Sequence, residues 1–309
     1  MCGIIGYIGD REVAPILLNG LKRMEYRGYD SAGIAVFDSG DLKMIKVSGK
    51  IASLTAELEG KVLHGNIGLG HTRWATHGEP SVRNAHPHTD STGHIVLIHN
   101  GIIENYYPIK KDLLAKGYRF QTDTDSEVLV YLIADFYQGD IEQAVRLALA
   151  MVKGTYGIAV LCQNEPDRLI TARLGSPLVI GLGKGENFVA SDLAAIVEHT
   201  RDVIYLDDGE MAVVTRDEVK SARLDRKVVN KKVERIFFDL DEIEKGGFPH
   251  FMLKEIFEQP DSLRDAMRGR LLDSEGTARL GGLLAVSYTH LRAHETSLQL
   301  VCRLLLEKK

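Results

Sequence analysis

Apolar residues along the first two-thirds of this chain fall into short runs with two distinct spacings. Continuous or alternating runs at residues 3–8, 32–37, 43–47, 67–71, 95–99, 156–162, 178–182 and 211–215 predict strands, several of them buried on both faces. Between them, stripes at helical spacing predict helices. These are Val13, Ile16, Leu17, Gly20, Leu21 and Met24; then Val128, Leu129, Leu132 and Ile133; then Ile141, Val145 and Leu149. The strands cluster instead of alternating strictly with helices, which favours an α+β arrangement of antiparallel sheets over a doubly wound parallel one.

The pattern changes after Asp239. Residues 239–249 are charged and carry Gly246 and Gly247, which suits a connector, and a short helix over 252–257 is expected to end before Pro260. Residues 284–309 share no pattern with what precedes them. His290, Arg292, His294 and Glu295 interrupt any apolar face there. This tail is expected not to belong to the native fold; its wording resembles translated adapter sequence.

Composition narrows the field. A length of 309 residues suggests two domains, or one large domain with an appendage, and 44% hydrophobic with 26% charged residues is ordinary for a globular protein. A net charge of -5 leaves no basic footprint for nucleic acid or an anionic membrane. No apolar run approaches the ~20 residues of a membrane helix, and a signal peptide is not recognisable. Cys2, Cys162 and Cys302 are too few and too scattered for a disulfide framework or a zinc cluster. A cytoplasmic chain without metal or cofactor is expected.

Cys2 carries the sharpest chemical signal. Once Met1 is removed, its thiol (pKa about 8.5) and a free α-amine (pKa about 8) share one residue, and each can be brought near neutrality. An amine-activated nucleophile is one reading and a buried N-terminal cysteine is the other. Residues 71–80 leave a strand and hold the only tryptophan, Trp74, beside Arg73. Arg73 suits a bidentate grip on a carboxylate, and Trp74 suits a lid; the alternative is a core Trp with Arg73 in a surface ion pair. His99-Asn100-Gly101 reads either as a type I′ hairpin turn or as an oxyanion hole made of the Asn100 amide and the Gly101 N–H. The next residues, 102–114, look like a helical approach, which favours the second. Thr124 and Glu127 fit a capping box. That geometry leaves Asp125 ionised and partly exposed in the first turn, able to accept the ammonium of an amino-acid ligand. Asp123 and Asp125 lack the glycine and distal glutamate of a calcium loop. Seven of the eleven histidines lie between His64 and His99, but without metal-ligand spacing. Residues 181–185 read as a turn.

Together, Cys2-Gly-Ile-Ile-Gly-Tyr and the segments 25–33, 71–78, 84–88, 99–105, 124–127, 176–183 and 254–260 resemble the N-terminal-nucleophile glutamine amidotransferases. The wording of 25–33 and 71–78 looks like the fructose-6-phosphate branch. The resemblance covers about residues 2–283. It implies a four-layer αββα fold in which Cys2 attacks the side-chain amide of L-glutamine while its own α-amine moves the protons. It further implies that Asn100 and Gly101 stabilise the oxyanion. Arg73, aided by Thr76 and His77, would hold the substrate carboxylate, Asp125 its ammonium, and Trp74 would close over it. Arg27 and Gly28 would line the site near the nucleophile. Residues 2–239 would be the glutaminase domain and 240–283 a linker towards a sugar-isomerase half absent from this chain. That half would take fructose 6-phosphate to glucosamine 6-phosphate and form the homodimer, leaving this fragment monomeric with glutamine hydrolysis alone. Three other readings stay open: an amidase for another amide, a non-catalytic glutamine-binding module that keeps Met1, and another amidotransferase branch such as amidophosphoribosyltransferase.

Overall fold

Each of the eight apolar runs forms a strand, and burial on both faces explains why runs such as those at 3–8, 32–37 and 67–71 are nearly unbroken. The computed structural model describes residues 2–38, 40–61, 63–75, 78–236, 248, 250–267, 271–272 and 277–278. In chain order come β1 (Gly3–Gly9), α1 (Val13–Arg23), a 3₁₀ turn at Glu25–Arg27, β2 (Ser31–Asp38), β3 (Asp41–Ser48), α2 (Ile51–Leu58), β4 (Ile67–Arg73), β5 (His88–Thr89) and β6 (Ile95–Ile103). Then follow α3 (Tyr106–Ala115), α4 (Asp125–Phe136), α5 (Ile141–Met151) and β7 (Gly154–Cys162). The remaining strands are β8 (Leu169–Leu174), β9 (Val179–Leu182), β10 (Glu186–Ala190), β11 (Asp202–Tyr205), β12 (Glu210–Val214), β13 (Val219–Arg223) and β14 (Glu234–Arg235).

Two antiparallel sheets result. One has eight strands in the order β14-β11-β9-β10-β1-β4-β2-β3, the other six in the order β13-β12-β8-β7-β6-β5. Because successive side chains of a strand point to opposite faces, each sheet feeds two cores. Ile5 and Tyr7 of β1 join Ile34 and Val36 of β2 beneath α1 and α2. The intervening Ile4, Ile8, Ala35 and Phe37 face Val96, Ile98, Ala159 and Leu161 of the second sheet. The other face of that sheet, with Leu97, Ile158 and Val160, packs on Val128, Leu129, Leu132 and Val145 of α4 and α5. Three cores between four layers make the αββα sandwich that the resemblance implied. The sheets approach closely at β1, where a Cβ on Gly6 would lie 2.8 Å from Leu169 Cδ1.

Two elements differ from expectation. β6 runs straight through Asn100 and Gly101, which pair with Gly157 and Tyr156 of β7, so this dipeptide makes no hairpin turn and α3 begins only at Tyr106. The long ladder with β7 outweighs the local turn preference. The helix expected to end before Pro260 instead continues through it as α6, Phe251–Met267, at the cost of one backbone donor. That helix and the short hairpin β15 (Leu271–Leu272) with β16 (Thr277–Ala278) belong to a second body, residues 244–309, separate from the first body, 1–243. Of the expected connector 239–249 only Phe248 is described, and the tail 284–309 lies outside the described residues. Among the described residues no helix is long and apolar enough to cross a membrane.

Leu69 of β4 is fully buried in the core between the sheets. Its replacement by alanine is expected to lower unfolding stability by roughly 2–5 kcal/mol, read by urea titration. An unchanged midpoint would contradict this packing.

Candidate active site

The β1–β4 ladder sets the nucleophile's position. Gly3 pairs with Thr72, and the Gly3 N–H donates to Thr72 Oγ1 at 3.1 Å, so Cys2 comes level with Arg73 and Trp74. There the Trp74 N–H donates to Cys2 Sγ at 3.1 Å, and the sulfur lies 3.5 Å from the Trp74 oxygen. Asp30 braces this turn: its N–H donates to the Arg73 oxygen at 3.0 Å and its Oδ2 accepts from the Ala75 N–H at 2.8 Å.

The second sheet supplies the opposite wall. Asn100, near the end of β6, donates from Nδ2 to the Cys2 oxygen at 3.0 Å. Gly101 follows with φ 130°, and a Cβ there would fall 2.1 Å from the Thr155 oxygen, so only glycine fits. From α4, Asp125 accepts the Ile103 N–H at 2.8 Å. Cys2, Arg73, Trp74, Gly101 and Asp125 line one small cavity of about 20 Å³ with His86, His99, Thr124 and Ser126. Trp74 is 45% exposed at its edge, its ring set edge-on to Tyr29 with centroids 5.5 Å apart.

Several expectations are corrected. Burial pushes the Cys2 thiol above its ordinary pKa instead of towards neutrality, with the Trp74 N–H and the Arg73 and Arg27 charges only partly opposing it. Asp125 is buried, not partly exposed, because the first turn of α4 sits under the end of β6. The capping box is half formed. Thr124 Oγ1 accepts from the Glu127 N–H at 3.3 Å, but the Glu127 carboxylate turns away to the Gln121 and Thr122 N–H groups, each at 2.7 Å. Arg73 is buried, not at the surface; its guanidinium donates to the oxygens of Gly78 and Glu79 at 3.1 and 3.2 Å. Arg27 and Gly28 do not line the cavity. Arg27 pairs with Asp192 at 2.6 Å, while a Cβ on Gly28 would meet Trp74 N at 2.9 Å, so both support the nucleophile's surroundings from behind. Thr76 and His77 lie outside the described residues.

His71, His86, His88 and His99 are all buried. His86 Nε2 and His99 Nδ1 both lie 2.9 Å from Ser126 Oγ, and His88 Nε2 is 3.2 Å from Thr124 Oγ1. Burial lowers the pKa of His71 to about 3 and holds His86 and His88 well below their usual value. Among the described residues no group of three or more His, Cys, Asp or Glu could hold a metal ion. Sequence reasoning missed Asp30, His71 and Ser126 as parts of the site. Asp30, His71 and Ser126 all lie inside the motifs at 25–33, 71–78 and 124–127, and the histidines suggest hydrogen-bonded core or loop residues sooner than metal ligands, but neither signal gives their partners.

Residues 38–237 match the family model described as the glutamine amidotransferase domain. A glutamine–fructose-6-phosphate aminotransferase (isomerizing) of Chlorobaculum tepidum is 58% identical over 290 residues, 92% of this chain and 47% of the relative. One of the same name from Pyrococcus horikoshii is 49% identical over 284 residues, 91% of this chain and 47% of the relative. The chain therefore spans about half the length of the curated relatives it matches. The solved glutamine phosphoribosylpyrophosphate amidotransferase of B. subtilis superposes with a TM-score of 0.63 at 29% identity, covering 74% of this chain and 50% of that one.

Burial disfavours the thiolate, so alkylation of Cys2 by iodoacetamide, followed by peptide mass spectrometry, should rise with pH through a midpoint above the ~8.5 of a free thiol. A midpoint near neutrality would overturn this account of the thiol.

Proposed function

The chain belongs to the glutamine amidotransferase family, and from that premise we propose that it hydrolyses L-glutamine to glutamate and ammonia with Cys2 as the nucleophile. The observation that carries the reading is the convergence of Cys2, Arg73, Gly101 and Asp125 on one cavity, with the Asn100 amide 3.0 Å from the Cys2 oxygen.

After removal of Met1, the α-amine of Cys2 takes the thiol proton as the sulfur attacks the side-chain carbonyl carbon of glutamine. A thiol held protonated by burial has need of such a base. The oxyanion of the tetrahedral intermediate is met by the Asn100 NH₂ and the Gly101 N–H. As the intermediate collapses, the C–N bond breaks, the amine returns the proton, and ammonia leaves a thioester on Cys2. Water then adds to the thioester carbonyl, the C–S bond breaks, and glutamate departs with the thiol restored. The Arg73 guanidinium and the Asp125 carboxylate match the carboxylate and ammonium of a free amino acid, which favours glutamine over another amide. A cavity of about 20 Å³ holds roughly one water.

We propose further that, in a protein of the relatives' length, residues 2–239 are the glutaminase domain and 240–283 lead into a half that uses the ammonia to turn fructose 6-phosphate into glucosamine 6-phosphate. Identities of 58% and 49% to proteins named for that reaction, against 29% to the phosphoribosylpyrophosphate enzyme, support this branch. Such a protein would work as a homodimer in the cytoplasm, where a reactive thiol stays reduced.

Cys2→Ala should abolish glutamate release while leaving glutamine binding measurable by calorimetry; unchanged turnover would refute the mechanism. Intact-protein mass spectrometry should find Met1 absent from active material. Asp125→Asn keeps an acceptor for the Ile103 N–H but loses the charge, and should raise KM on the order of 30-fold with a smaller effect on kcat. An unaltered KM would remove Asp125 from substrate binding. With fructose 6-phosphate added, the 309-residue chain should release glutamate without forming amino sugar.

A further inference from the structure

Asn100 can turn either its NH₂ or its oxygen towards Cys2, and only the first orientation offers a donor to an oxyanion. The surroundings select between them. His71 Nε2 lies 3.0 Å from Asn100 Oδ1 and 3.2 Å from the backbone oxygen of His99. A carbonyl accepts and cannot donate, so the His99 oxygen requires the proton of the neutral ring to sit on Nε2. That N–H in turn requires an acceptor on Asn100, which directs Oδ1 towards His71 and leaves Nδ2 to donate to the Cys2 oxygen at 3.0 Å. The reversed amide would set NH₂ against N–H and oxygen against the Cys2 carbonyl, two repulsions inside a buried site.

His71 is well placed to impose this choice. It lies in β4, where it pairs with Ile4 on one side and Gly33 on the other, and it is fully buried. Its ring lies against His86 with centroids 4.1 Å apart, and His86 is tied to Ser126 Oγ at 2.9 Å. His71 Nδ1 has no hydrogen-bond partner among the described residues, so nothing there competes for the ring proton.

We propose that His71 is a positioning residue for glutamine hydrolysis: its Nε2–H, held by the His99 carbonyl, fixes the orientation in which Asn100 presents its NH₂ to the oxyanion formed at Cys2. The proposal rests on the oxyanion role given to Asn100 above. It assigns His71 no contact with substrate.

The test is a double-mutant cycle on the full chain, with folding checked by thermal unfolding. Asn100→Ala should lower kcat by about 10²–10³-fold. His71→Leu removes the donor and should lower kcat by roughly 10–100-fold while KM changes less than about twofold. In the Asn100→Ala background the same substitution should cost nothing further, because there is no amide left to orient. His71→Gln, whose side-chain NH₂ can donate from a similar position, should recover most of the loss. Ring-nitrogen NMR shifts of the unmutated protein should report a protonated Nε2 and a bare Nδ1. Should His71→Leu fail to fold, the tautomer and the His71→Gln kinetics decide. Losses that multiply in the double variant, a His71→Gln variant as slow as one lacking Asn100, or the opposite tautomer would each overturn the proposal. Full turnover by Asn100→Ala would instead remove the oxyanion assignment beneath it, a failure distinguishable because the tautomer would be unaltered.

Discussion

The pairing of β1 with β4 is the contact on which everything else depends. Cys2 stands one residue ahead of β1, so its position is inherited from the register that sets Gly3 against Thr72. A slip of one residue would send every side chain of β1 to the other face. Ile5 and Tyr7 would leave the core under α1, and Ile4 and Ile8 the core between the sheets. Both faces of the strand are buried, so the register is determined twice over, and the nucleophile is held against Trp74 without an element of its own. The sandwich supplies the accuracy that the site requires.

That accuracy comes with a chemical consequence. A half-buried sulfur loses part of the water that would stabilise a thiolate, and the nearby arginines do not restore it. Burial likewise holds His71, His86 and His88 neutral. In the proposed mechanism the base must then arrive with the nucleophile, as the amine of the same residue. While Met1 remains, that nitrogen is part of a peptide bond and has no basic lone pair. In that mechanism, removal of Met1 supplies the base that a thiol raised in pKa by burial requires.

Much of the architecture was legible because burial on both faces writes a strand as an unbroken apolar run. The elements missed were those with little local signal. α2 has eight residues with three buried positions, Ile51, Leu54 and Leu58, and β11 has four residues. At Asn100-Gly101 the local turn preference competes with a nine-residue ladder, and the ladder prevails. At the site, Cys2, Arg73, Trp74 and Asp125 could be proposed from residue type and neighbours. Asp30, His71 and Ser126 could not, since each acts across a gap in sequence: Asp30 on Ala75, His71 on Asn100, and Ser126 on His86 and His99. Linear spacing holds no record of which strands will be neighbours.

The same reasoning accounts for burying several imidazoles beside one nucleophile. A neutral histidine has one donor and one acceptor, so it transmits hydrogen-bond direction without carrying charge into the interior. His99 Nε2 faces the Thr155 oxygen at 3.4 Å, and its Nδ1 lies 2.9 Å from the Ser126 hydroxyl, which is also 2.9 Å from His86 Nε2. The chain ends on the Thr155 carbonyl, the atom that leaves no room for a Cβ at Gly101. A lysine or carboxylate in these places would add a buried charge and shift the very groups it was meant to hold. The imidazoles of His71 and His99 thus brace the strand that carries Asn100 and Gly101.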